Sequence, residues 1–153
     1  MCPAGYFCPP AVAQPVPCGP GNYSDDGATA CYLCEAGHYC GENATTTQQM
    51  RETFTCPAGL YCPAGLSYAP DAAFHLCPVG FYCPLATPVP VPCPIGTYGP
   101  VSGKASVVDC LLCDAGYYCA LPGAPNVTGE CSPGYYCPAG STGSRQVACP
   151  PRY

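Results

Sequence analysis

Apolar residues in this chain neither run long nor recur at a helical interval. No stretch of 18 or more apolar residues is present, so nothing in the sequence has the length of a membrane-spanning helix. Only Ala44 to Cys56 and Lys104 to Ala115 continue for about a dozen residues without Gly or Pro. Neither shows an apolar period near 3.6, so each is expected to hold at most a turn or two of helix. What recurs instead is a short frame in which C-x-x-G is followed by an aromatic and a second Cys. Cys2-Pro3-Ala4-Gly5-Tyr6-Phe7-Cys8 is its first instance, followed by Cys34 to Cys40 and Cys56 to Cys62, and it returns from Cys77, Cys113 and Cys131. Gly5, Gly37, Gly59, Gly80, Gly116 and Gly134 share one position in the frame, which predicts a tight turn that needs positive φ or no side chain. Tyr6, Tyr39, Tyr61, Tyr82, Tyr118 and Tyr136 stand one or two positions ahead of the second cysteine and are expected to pack over disulfides rather than to form a ligand-binding row.

A longer period encloses the short one. Cys2, Cys8 and Cys18 recur 75 residues on as Cys77, Cys83 and Cys93. Cys31, Cys34 and Cys40 recur 79 residues on as Cys110, Cys113 and Cys119, and Cys56 and Cys62 recur 75 residues on as Cys131 and Cys137. Residues 2–76 and 77–148 therefore read as two super-repeats, and 149–153 as the start of a third. This arithmetic uses sixteen of the 17 cysteines and leaves Cys149, whose partner is expected past Tyr153.

Composition explains why the cysteines matter. The large aliphatics and Phe number only 23 of 153 residues, against 17 Cys, 22 Pro and 18 Gly. Apolar burial on that scale does not offset a backbone entropy of roughly 1–2 kcal/mol per residue. Cross-links worth about 2–4 kcal/mol each can supply the difference, and they persist in oxidising compartments. The chain is thus expected to be secreted or on the extracellular surface. Met1 leads straight into Cys2-Pro3 with no signal peptide, so the sequence is expected to be an interior stretch of a longer secreted protein. The net charge of −5, with Arg51, Lys104, Arg145 and Arg152 scattered, argues against nucleic acid and anionic membrane as partners.

The run from Cys18-Gly19-Pro20-Gly21-Asn22-Tyr23-Ser24 through Gly27 to Cys31-Tyr32-Leu33-Cys34 resembles the ephrin-receptor-like cysteine-rich repeat, and the pattern returns from Cys93 to Cys113. That family is similar in style to tumour-necrosis-factor-receptor and epidermal-growth-factor-like modules. The resemblance implies small disulfide-rich, mostly irregular modules with short β-hairpins, in tandem as an elongated rod or solenoid-like array. Such arrays build receptor ectodomains, extracellular filaments and flagellar hairs. By the same resemblance Cys18 pairs with Cys31 and Cys93 with Cys110, while the other six cysteines of each unit are left with 15 possible pairings. The second unit departs from the pattern after Tyr98, where Gly99-Pro100-Val101-Ser102-Gly103-Lys104 replaces the acidic turn.

Other chemistry fits the residues less well. Asp25 and Asp26 beside Gly27 lack the further oxygen ligands a calcium loop requires, and read as a solvated turn. Cys31/Cys34 and Cys110/Cys113 have the spacing of zinc half-sites, but within a matched array of cysteines they read as disulfide partners. His38 occupies the place of Tyr117 in the second unit, and His75 lies in the spacer Asp71 to Leu76 with no acid, base or nucleophile set around it. No catalytic residue, metal or cofactor is expected. All three asparagines stand in N-x-S/T sequons, at Asn22, Asn43 and Asn126, and N-glycans are expected at two or three of them. Pro15-Val16-Pro17 and Pro88 to Pro92 favour stiff polyproline spacers, and they and Thr45-Thr46-Thr47 are candidates for O-linked sugar or hydroxyproline. The expected function is structural, in an extracellular glycosylated filament or flagellar hair whose partners are further repeats or other copies of the chain. The alternative is a receptor or adhesion ectodomain that binds a protein ligand.

Overall fold

The computed structural model describes residues 1–41 and 46–151. Its regular structure is small because Gly and Pro interrupt the chain every few residues. Six antiparallel hairpins are formed from strands of two residues each. The first unit holds β1 (Tyr6–Phe7) with β2 (Val16–Pro17) and β3 (Asn22–Tyr23) with β4 (Tyr32–Leu33). The second holds β5 (Phe81–Tyr82) with β6 (Val91–Pro92), β7 (Thr97–Tyr98) with β8 (Leu111–Leu112), β9 (Tyr117–Tyr118) with β10 (Gly129–Glu130), and β11 (Tyr135–Tyr136) with β12 (Val147–Ala148). Single antiparallel bridges His38↔Thr55 and Leu60↔Leu76 stand where two further hairpins would be. By their contacts the residues form two compact units, Met1–Leu76 with Pro84–Val89, and Cys77–Cys83 with Pro90–Tyr153.

The disulfides fall into two classes. Six close a six-residue step: Cys2–Cys8, Cys34–Cys40, Cys56–Cys62, Cys77–Cys83, Cys113–Cys119 and Cys131–Cys137. Two close longer loops, Cys18–Cys31 over 13 residues and Cys93–Cys110 over 17. Cys149 is exposed and bonds to none of the other sixteen cysteines. On the chain-entropy account a six-residue bridge contributes roughly 2.4 kcal/mol and the longer ones about 3 kcal/mol.

These bridges are also the interior. Nearly all the buried apolar residues are half-cystines, with Cys34, Cys40, Cys56, Cys62, Cys77 and Cys83 fully inaccessible. Conventional side chains add little: Tyr23 and Met50 join Cys34 and Cys40, and Leu66 joins Cys56 and Cys62 with Tyr39 and Leu60 against them. The expectation that a tyrosine would cover each bridge holds for Tyr39, whereas Tyr6 and Tyr136 remain 40% and 50% exposed. A two-residue strand leaves one face of its ring uncovered, because no third strand or helix packs on it.

Helix is confined to two short segments and one 3₁₀ turn among the described residues. α1 (Thr47–Thr53) lies within the first Gly- and Pro-free stretch; Thr46 caps it by accepting from the Gln49 N–H, and Met50 is its one buried residue. The helical part of the second such stretch is the 3₁₀ turn Val107–Asp109, ahead of β8, and its Asp109 carboxylate accepts the Ser106 and Ala105 N–H groups. α2 (Ala72–His75) falls in a segment expected to be a plain spacer. Its cap is Asp71, whose carboxylate accepts the Ala73 N–H, and its one buried residue is His75.

Candidate functional site

A finer repeat organises both units. The first cysteine of each step recurs every 16 to 22 residues, at Cys2, Cys18, Cys34 and Cys56, then at Cys77, Cys93, Cys113 and Cys131. Three residues after each one is a glycine at positive φ, including Gly21 and Gly96 in the long-loop modules. Main-chain bonds join successive modules through this frame. The N–H of the next first cysteine donates to that glycine's carbonyl, as Cys18 to Gly5, Cys34 to Gly21 and Cys56 to Gly37 in the first unit and Cys93 to Gly80, Cys113 to Gly96 and Cys131 to Gly116 in the second, at 2.8–2.9 Å. The glycine N–H donates forward to the carbonyl of the next module's second half-cystine, as Gly21 to Cys40, Gly37 to Cys62, Gly96 to Cys119 and Gly116 to Cys137, at 2.8–2.9 Å. A turn residue past the second half-cystine returns its N–H to the previous module's first cysteine: Gly65 to Cys34, Ala86 to Cys56, Gly123 to Cys93 and Gly140 to Cys113, at 2.8–2.9 Å.

Two positions in this ladder carry no sulfur. The Gly5 N–H donates to the Ser24 carbonyl and the Gly80 N–H to the Gly99 carbonyl, at 3.0 and 2.7 Å, in the places the second half-cystine fills elsewhere. The Gly99 N–H also donates to the Ala124 carbonyl, as the Cys119 N–H does to Ser141. Ser24 and Gly99 therefore stand where a second cysteine stands in the short modules, and Cys18 and Cys93 reach to Cys31 and Cys110 instead. Ser24 is completely buried, and its hydroxyl donates to the Tyr6 carbonyl at 2.7 Å. The signal was legible in the spacing, since both residues lie six positions after a first cysteine.

The zinc-spaced pairs are divided among bridges, Cys31 bonding to Cys18 and Cys34 to Cys40, Cys110 to Cys93 and Cys113 to Cys119. Asp25 and Asp26, read from the sequence as a solvated turn, are exposed but engaged. Asp25 accepts the Thr47 N–H at 2.7 Å and the Thr47 hydroxyl at 2.6 Å, while Asp26 accepts the Ala4 N–H at 2.9 Å. The two bonds from Thr47 hold the Asp25 carboxyl below the ordinary aspartate range. A groove of about 640 Å³ opens beside them, lined by Asp25, Asp26, Thr46, Thr47, Gln48, Arg51 and Glu52. Its guanidinium is committed to Glu35 at 2.9 and 3.3 Å, which lowers the Glu35 pKa. The lining holds carboxylates, hydroxyls, an amide and the Arg51 guanidinium, and it offers polar contact. Among the described residues no three His, Cys, Asp or Glu side chains converge as metal ligands would.

His75 packs edge-on between Tyr61 and Tyr68 at ring distances of 5.8 and 5.6 Å, and its Nδ1 accepts the Asp71 N–H at 3.5 Å. His38 lies on the bridge to Thr55. Of the sequons, Asn22 lies in β3 with its hydroxyl partner Ser24 buried, Asn126 is exposed between β9 and β10, and Asn43 lies outside the described residues. No protein-family model matches the chain, and no curated protein matches it either.

Proposed function

We propose that the chain is part of an extracellular, N-glycosylated scaffold whose tandem disulfide-stapled modules continue one another into an elongated rod, as a filament or flagellar hair. The observation that carries this reading is the main-chain ladder between successive modules. Its donors and acceptors are backbone groups, and its steric demand is one glycine per module, so modules can be repeated while most side chains vary. Eight disulfides in 153 residues are the make-up of secreted proteins, and a sulfur-rich interior suits a chain with few large aliphatics. The resemblance to ephrin-receptor-like repeats points the same way. The role is non-catalytic, and its partners are further repeats or other copies of the chain.

A receptor or adhesion ectodomain is the second reading, favoured by exposed apolar side chains in the second unit such as Val108 at 83% and Leu112 at 63%. Electron microscopy of native material separates the two. Regular fibres with an axial repeat are the expected result, whereas single particles attached to a membrane segment contradict the filament reading.

A further inference from the structure

The sequons at Asn22 and Asn126 look alike in sequence and are opposites in the fold. A glycan acceptor needs its asparagine amide and the hydroxyl two residues on to be reachable together, which is why occupied sequons lie in surface loops. Around Asn22 neither is free. Ser24 has no accessible surface and its hydroxyl is spent on the Tyr6 carbonyl at 2.7 Å. Its own carbonyl takes the Gly5 N–H at 3.0 Å, so it is locked from both ends. Tyr23 between them is 8% exposed. The Asn22 backbone is paired with Leu33, and its side-chain amide turns back on its own turn, donating to the Gly19 and Pro20 carbonyls at 3.4 and 3.3 Å. These features follow from Ser24 occupying the place of a second half-cystine.

Asn126 lies in an open bend, exposed, with Thr128 exposed beside it at the entry to β10. The Thr128 oxygen accepts the Ala120 N–H at 2.9 Å, an arrangement that leaves the hydroxyl hydrogen available. We infer that Asn126 carries the N-linked oligosaccharide, while closure of the Cys18–Cys31 loop withdraws Asn22 from the glycosylating enzyme and converts Asn22-Tyr23-Ser24 into a structural element. This inference rests on reading the chain as a secretory glycoprotein.

The test is site-resolved occupancy. The chain is expressed behind a heterologous signal peptide in a eukaryotic cell, and secreted and retained material are pooled. Peptide-N-glycosidase F release in oxygen-18 water then marks each formerly glycosylated Asn as labelled Asp. Label is expected at Asn126 and absent at Asn22. In a C18S/C31S variant, whose loop cannot close, label is expected to appear at Asn22 with Asn126 unchanged. Pooling retained material keeps the readout valid even where that variant is not secreted. Label at Asn22 equal to that at Asn126 in the parent chain, or none at Asn22 in the opened variant, overturns the inference. No label at Asn126 in the parent chain also overturns the inference, and no label at any of the three sequons overturns the glycoprotein reading itself.

Discussion

At the scale of single residues, the ladder closes because certain positions lack a side chain. A Cβ on Gly37 would fall inside the contact distance of the Ala86 carbonyl oxygen, and the residue already has φ of +86°. Left-handed backbone costs an ordinary residue roughly 1–2 kcal/mol, and the overlap adds to it. Gly37→Ala is therefore expected to destabilise the first unit by at least about 2 kcal/mol, read as a lower melting temperature by circular dichroism. Ala86 itself sits at φ of +61° without being glycine. Its N–H bond to Cys56 at 2.9 Å keeps it there, so Ala86→Gly should relieve strain while preserving that bond. The expected gain is about 1 kcal/mol, and a loss of stability in this variant would show that the turn is not strained.

At the scale of elements, α1 is held by its ends. It spans seven residues, too few to persist alone, and buries only Met50. Asp25 grips its first residue through two hydrogen bonds, and Glu35 grips Arg51 in its second turn. Both carboxyl pKa values are lowered, Asp25 chiefly by the Thr47 hydroxyl and Glu35 chiefly by the Arg51 hydrogen bond. A depressed folded-state pKa means the contribution is present above the unfolded value and is lost as pH falls through the folded one. Protection of the α1 amides from hydrogen exchange is thus expected to be flat above about pH 5 and to fall below about pH 4, with Asp25→Asn weakening protection already at neutral pH. An α1 indifferent to pH down to acid conditions would remove these carboxylates from the account.

Little of this element was legible beforehand. Its dozen residues free of Gly and Pro were visible, but with a single buried side chain no apolar period could form. α2 was missed for the same reason, its only advance signal being Asp71 ahead of two alanines. The C-x-x-G frame and its positive-φ glycine, by contrast, were legible, because Gly and Cys recur at fixed spacing, whereas the bonding of its two cysteines to each other stood open among 15 pairings. The sulfur-free sites Ser24 and Gly99 show in the sequence only as the positions six residues after Cys18 and Cys93, because a pattern of cysteines does not display its own substitutes.

At the scale of the whole molecule, sulfur does what an aliphatic core does elsewhere. Each bridge closes a loop of at most 17 residues and each ladder bond joins a module to its neighbour, so damage should stay local. Replacing Cys34 and Cys40 by Ser is expected to raise hydrogen exchange between about Cys18 and Cys62 and to leave the second unit unchanged, a contrast a single cooperative core would not produce. The central claim is that the bridges have the short-range pattern described. Peptide mapping of the native, alkylated and unreduced protein by mass spectrometry tests it most directly. Six bridges between cysteines six residues apart, together with Cys18–Cys31 and Cys93–Cys110, are predicted. Alkylation of most cysteines, or bridges linking the two units, would contradict it.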